Sequence, residues 1–114
     1  MKNNPTPLEY DECKLFAVWL RARGLTFSHI PNSTWTPSFG AMQRNKALGV
    51  DAGIPDYIVL TPNGVLFVEM KRREGSTVSA RQKEWIEHIN ETPGAQAEVC
   101  YGYQEAIEFV EKFI

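Results

Sequence analysis

The sequence predicts an α/β domain with helices flanking a central sheet, and three observations carry the prediction. Tyr57 to Leu60 and Val65 to Val68 are apolar, largely β-branched or aromatic runs joined by Thr61-Pro62-Asn63-Gly64, the pattern of two buried strands and a tight turn. Thr6-Pro7-Leu8-Glu9 and Ser79-Ala80-Arg81-Gln82 are capping-box patterns, each opening a helical stretch on one side of that hairpin. Ala97 to Tyr101 is a further β-type run followed by a closing helix, and with one strand ahead of the hairpin the order is α, β, β, β, α, β, α.

The first helix starts at its capping box, with Pro7 at the first helical position, and runs to about Arg23, where Gly24 closes it. Glu9 is thereby assigned to the cap. Leu8, Glu12, Leu15, Phe16, Trp19 and Leu20 fall on one helical stripe, which puts Glu12 on the apolar face near the N-terminal end. It is either a site carboxylate or a polar stripe-edge residue paired with a lysine. Leu25 to Ile30 reads as the first strand, ended by Pro31. From Asn32 to Ala52 the chain is rich in turn residues with two aromatics, Trp35 and Phe39, and admits a short helix from Phe39 to Leu48 stopped by Gly49. A connection this long in a small domain points to function or mobility. His29 and Asn32, at its start, are candidates for contacting a phosphate or a site water, against a purely structural role for the histidine.

In the hairpin, folding about Pro62 and Asn63 places Asp56 opposite Glu69. Two carboxylates facing each other across a sheet repel, and burying them costs more, so a fold selected for stability alone avoids the pair. A divalent cation between them reverses the sign. Lys71, two residues past Glu69, projects from the same strand face roughly 7 Å along. The register depends on the turn: Pro62 forbids a type I′ turn, and a bulge at Gly64 would shift the pairing by one residue. Arg72 to Thr77 is a loop. The next helix runs from about Ala80 to Asn90 with Trp85, Ile86 and Ile89 inward, and Thr92-Pro93-Gly94 stops it. A last helix, Gln104 to Phe113, turns Ile107, Val110 and Ile114 inward.

With 114 residues, 43% of them apolar, residues 1–114 make a single domain. The longest apolar run, Leu15 to Leu20, is too short to span a bilayer, and the start MKNNPTPLEYDE lacks the apolar block of a signal peptide, so no membrane partner and a cytoplasmic location are expected. Cys13 and Cys100 have no metal-ligand spacing and are expected as packed thiols. A net charge of −2 argues against nonspecific coating of nucleic acid but permits a local site. Cations gather at Arg21 and Arg23, Arg44 and Lys46, Lys71 to Arg73, and Arg81 and Lys83, while acids dominate the last third. Either the domain has a basic and an acidic face, or these are ordinary solvated helices.

Asp, about a dozen residues, then Glu-x-Lys on the next strand suits a metal-dependent phosphodiesterase. Asp56 and Glu69 offer hard oxygen ligands to Mg²⁺ or Mn²⁺, the carbonyl of Met70 lies within reach of the same ion, and Lys71 can orient the attacking water and offset charge on the phosphate. Glu12 in the first helix, Gly53-Ile54-Pro55-Asp56, Glu69-Met70-Lys71, Ser79 with Gln82, and His29-Ile30-Pro31-Asn32 together resemble the VRR-NUC family of the PD-(D/E)XK nuclease superfamily, whose small stand-alone members are often phage-encoded. The resemblance covers nearly the whole chain. It implies a restriction-endonuclease-like αβββαβ core with a mixed central sheet, and metal-dependent cleavage of DNA. It also implies a homodimer acting on branched DNA resembling Holliday junctions. Carried over residue by residue, it makes Glu12, Asp56, Glu69, Lys71 and Gln82 catalytic, with Asp56, Glu69, the Met70 carbonyl and, through water, Glu12 around the metal. Gln82 has a competing role as a plain capping-box residue. His29, Asn32, Arg44, Lys46, Arg72, Arg73 and Arg81 are the expected DNA contacts. The competing functions are a non-catalytic DNA-binding accessory of the same fold and a nuclease acting on RNA or other phosphate esters.

Overall fold

A computed structural model describes residues 9–31 and 38–114, so the first capping box apart from Glu9, the candidate Asn32 and the aromatic Trp35 lie outside the described residues. The elements run α1 (Glu9–Ala22), β1 (Thr26–His29), α2 (Phe39–Leu48), β2 (Tyr57–Thr61), β3 (Gly64–Lys71), α3 (Ala80–Asn90), β4 (Ala95–Tyr101) and α4 (Tyr103–Glu111). The strands form one sheet in the order β1-β2-β3-β4. The first three are antiparallel, and β4 joins β3 in parallel. A parallel neighbour needs a crossover, which α3 supplies. The expected mixed sheet is therefore present.

The hairpin closes tightly. Thr61 pairs with Gly64 across a two-residue loop, Pro62-Asn63, and no non-glycine among the described residues has positive φ. Gly64 takes the unusual backbone instead, at φ 142°, so proline is accommodated without slipping the register. The Thr61 hydroxyl accepts from the Asn63 N–H at 3.1 Å and donates to the Gly64 carbonyl at 2.8 Å.

Period-two alternation divides β3 between the two faces of the sheet. Leu66, Val68 and Met70 join Phe16 and Leu20 of α1, Val59 of β2, Cys100 of β4 and Ala106, Phe109 and Val110 of α4 in one core. Alternation turns Glu69 and Lys71 to the opposite face, where α3 lies. Asn90 pins α3 to β4, its amide accepting from the Ala97 N–H at 2.8 Å and donating to the Ala97 carbonyl at 3.1 Å.

Two apolar assignments are corrected. Leu15 is 45% exposed and Ile114 39% exposed, because the buried stripes centre on Phe16 and Leu20 in α1 and on Ala106, Phe109 and Val110 in α4. Both thiols are free. α2 has the bounds expected, with Ser38 capping its start and Gly49 at φ 87° closing it, and it buries no residue. No helix among the described residues is long and apolar enough to cross a membrane.

Candidate active site

The pair that follows Tyr57 and Val68 in the hairpin register is Asp56 and Glu69. Asp56 is 6% exposed and Glu69 2% exposed, so both carboxylates are withdrawn from water. Pro55 is fully buried before Asp56, and the Asp56 carbonyl accepts from the Ile30 N–H at 2.6 Å, which locks the entry to β2 against β1. The Asp56 carboxylate reaches across to β3 and accepts the Met70 N–H at 2.7 Å. On an extended strand the N–H and C=O of one residue point to the same edge, so the Met70 carbonyl shares the Asp56 side.

Glu69 carries the strain of the site. One oxygen, Oε2, accepts from Gln82 Nε2 at 3.0 Å and lies 3.7 Å from Lys71 Nζ. The other, Oε1, is buried without a hydrogen-bond partner among the described residues. Burial, and next to it the Asp56 charge, push the Glu69 carboxyl up to about 8, with Lys71 opposing the rise. Lys71 is itself mostly enclosed, its side chain 12% exposed.

Gln82 completes the capping box and also reaches Glu69. Its side-chain oxygen accepts the Ser79 N–H at 2.9 Å and its backbone N–H donates to the Ser79 hydroxyl at 3.1 Å, a complete capping box. Its side-chain amide still has a donor left for Glu69. The cap fixes the amide, and the fixed amide orients the carboxylate.

Glu12, expected at the site from helix one, meets other partners. Glu12 is fully buried but does not join the pair: its Oε2 accepts from Arg73 Nε at 3.0 Å and its Oε1 from the Tyr103 N–H at 2.9 Å. Glu9, one turn earlier, is the residue in electrostatic reach of the site. Its carboxyl is raised by partial burial and then by the Asp56 charge, with Lys71, Arg72 and His29 acting in the opposite direction. The capping-box pattern obscured Glu9, and nothing local in the sequence announced the partners of Glu12.

The expected DNA contacts divide. His29 stands exposed at the end of β1 with its ring 5.1 Å from Tyr57, beside the Asp56 entry. Arg44 and Lys46 stand exposed on α2. Arg72 donates to the Gly75 carbonyl at 3.1 Å within its own loop. Arg73 and Arg81 instead hold carboxylates of the protein, Arg73 with Glu12 and Arg81 with Asp51 at 2.9 Å and Glu84 at 3.3 Å. Asp51 also accepts the Gly53 N–H at 2.9 Å, so Arg81 braces the loop leading to Asp56. A groove of about 240 Å³ between α1 and the β1 edge is lined by Tyr10, Lys14, Arg21, His29 and Tyr57, among others.

No three His, Cys, Asp or Glu side chains among the described residues come together closely enough to make a metal cage of their own. Two carboxylates and one carbonyl nevertheless fit Mg²⁺ or Mn²⁺, because Mg²⁺ is held by one or two carboxylates and keeps several waters. The unpartnered Glu69 Oε1 beside a second buried carboxylate is the feature a cation would satisfy.

A family model described as "VRR-NUC domain" matches residues 7–104. A solved structure described as "VRR_NUC domain protein" superposes with a TM-score of 0.78 at 24% identity, covering 96% of this chain and 89% of that one. At that identity the likeness is one of fold. No curated protein sequence matches.

Proposed function

The chain belongs to the VRR-NUC domain family of nucleases, and from that premise we propose that it is a divalent-metal-dependent endonuclease that hydrolyses phosphodiester bonds of branched DNA, as a homodimer in the cytoplasm, a host's if the protein is phage-encoded. The observation that carries the reading is Glu69: a buried carboxylate with one oxygen unpartnered, faced by Asp56 and flanked by Lys71. Burying that arrangement is costly to the fold, and a bound cation would offset the cost.

Asp56, Glu69 and the Met70 carbonyl would hold the ion, with Glu9 bordering its water shell. The metal, when bound, supplies a more acidic coordinated water and withdraws charge from the phosphate. Gln82 keeps Glu69 Oε2 in place, leaving Oε1 for coordination. Lys71 Nζ donates toward the attacking water or a phosphate oxygen and offsets charge that grows in the transition state. The Asp56 carbonyl, bonded to Ile30, and the Arg81–Asp51 brace keep the entering loop from drifting away from β3.

Lys14 and Arg21 in the groove beside α1, with Arg44 and Lys46 on α2, are cations placed to track a DNA backbone, and His29 adds a hydrogen-bonding ring beside them. A four-way junction offers two equivalent strands, which a two-fold dimer matches in symmetry. The test incubates labelled four-way, flap and linear duplex DNA with the protein in Mg²⁺, Mn²⁺, Ca²⁺ or EDTA. Cutting is expected in Mg²⁺ and Mn²⁺, preferentially of the junction, with binding but little cutting in Ca²⁺ and none in EDTA. Cutting undiminished by EDTA overturns the mechanism. Binding without cutting under every metal makes the protein a DNA-binding accessory.

A further inference from the structure

We propose that Glu12 and Arg73 are positioning residues: the buried carboxylate and the guanidinium form a clamp that fixes the backbone of Lys71 at the end of β3, and so places its ammonium. The proposal rests on the nuclease reading for its consequence and on the clamp geometry alone for its structure.

Lys71 is the last residue of β3, and a strand end opening into a loop frays unless something holds it. Here the Lys71 carbonyl accepts the Gly102 N–H at 2.9 Å, from the residue that links β4 to α4. Gly102 is buried and sits at φ 95°, ψ 161°, a conformation only glycine adopts without strain, and as the N-cap of α4 it has no side chain to satisfy the helix start. Glu12 fills that role from another helix by accepting the Tyr103 N–H. Its second oxygen takes Arg73, two residues past Lys71. The Arg73 side chain crosses the face of Gly102 to get there: a Cβ on Gly102 would stand 2.6 Å from Arg73 Cγ and 3.5 Å from Glu12 Oε1.

One carboxylate thus ties three segments, α1, the start of α4 and the loop leaving β3, around the last backbone bond of the β3–β4 pairing at Lys71. Capping α4 alone would need only a neutral oxygen, and a fully buried anion is a costly way to provide one. The ion pair makes sense as a device that also fixes the loop. Lys71 Nζ stands at the end of a four-carbon stem, so a shift of about 1 Å in its backbone is enough to lose on the order of 10²-fold in rate.

The experiment compares Glu12→Gln, Arg73→Gln and Arg73→Lys with the unaltered protein. Three quantities are read: the single-turnover cleavage rate at saturating junction DNA, the Kd for that DNA in Ca²⁺, and the hydrogen exchange of the Gly102 amide. Glutamine at position 12 still caps Tyr103 but turns a donor toward Arg73. Both glutamine variants are expected to cut about 10- to 100-fold more slowly, to bind within about two-fold of the original Kd, and to exchange the Gly102 amide faster. Arg73→Lys, which keeps a cation beside Glu12, should recover much of the rate. A raised Kd with an unchanged saturating rate in Arg73→Gln would make Arg73 a phosphate contact and overturn the proposal, as would unchanged Gly102 exchange. If Glu12→Gln does not fold, the half-exposed Arg73 still carries the comparison. If the unaltered protein cuts no DNA, the nuclease reading fails while amide exchange still decides whether the clamp exists.

Discussion

Asp56→Asn should make the metal-free protein more stable while eliminating cleavage. Glu69 is the reason, because its carboxyl titrates near 8 instead of the ordinary 4.5, through burial first and the Asp56 charge second. A carboxyl whose folded pKa is raised costs nothing below its unfolded value, costs more as pH climbs, and reaches its full cost above the folded value. From 4.5 to neutral pH, at about 1.4 kcal/mol per pH unit, the cost at pH 7 is about 3 kcal/mol. Burial accounts for the larger share, so neutralising Asp56 relieves about 1 kcal/mol where Glu69 is ionised in the folded protein, above about pH 8, and less at pH 7, where it is mostly protonated. In a domain of this size the full relief raises Tm by about 4 °C. Asparagine keeps an oxygen to accept the Met70 N–H, so the substitution isolates charge from shape. The assay is a set of melting curves for both proteins in EDTA at pH 5, 7 and 8.5, repeated with saturating Mg²⁺. In EDTA the variant should melt higher, most clearly at pH 8.5 where Glu69 is ionised in the folded protein and less at pH 7 where it is mostly protonated, and the gap should close toward pH 5, where the unfolded carboxyl begins to take up a proton as well. Saturating Mg²⁺ should reverse the order, because only the original pair gains the full binding free energy. A variant that melts below the unaltered protein in EDTA at pH 8.5, or a gap that ignores pH, would show that the two carboxylates do not repel across the hairpin.

Lys71→Ala should slow single-turnover cleavage by about 10² or more while leaving DNA affinity in Ca²⁺ nearly unchanged, since its ammonium lies against Glu69 rather than out in solvent. Loss of affinity without loss of rate at saturation would reduce it to a phosphate contact. Arg44→Ala and Lys46→Ala should each weaken DNA binding and lower the slope of log Kd against log salt by about one, as released phosphate contacts do. Arg81→Ala should leave that slope alone, because its guanidinium already holds Asp51 and Glu84. An equal change of slope for all three would return Arg81 to the DNA surface.

What the sequence made legible was whatever is decided within a few residues. The hairpin itself followed from two apolar runs and one turn, while its register, open to a one-residue shift, is fixed by Gly64 absorbing the backbone that Pro62 could not. The bounds of α2 and α3 followed from a stop glycine and a capping box. The capping box also placed Gln82, and the structure adds that capping and site duty coincide, since an amide has both an acceptor for Ser79 and a donor for Glu69.

The roles of the charged residues were not legible, for a physical reason. A carboxylate on a helix is defined by what it meets, and the partners here are far along the chain: Glu12 meets Arg73 61 positions away and Tyr103 91 away, and Arg81 meets Asp51 30 away. Assigning Glu9 to a cap and Glu12 to the site was sound on spacing alone, yet spacing places side chains only on a face, not opposite a partner. Once α4 begins at a glycine with no side chain to offer, some buried acceptor must meet the Tyr103 N–H. Glu12 is the acceptor that α1 brings there, and its two bonds aim its oxygens at Arg73 and Tyr103 rather than at Asp56 and Glu69, while Glu9 is the α1 carboxylate in electrostatic reach of Asp56.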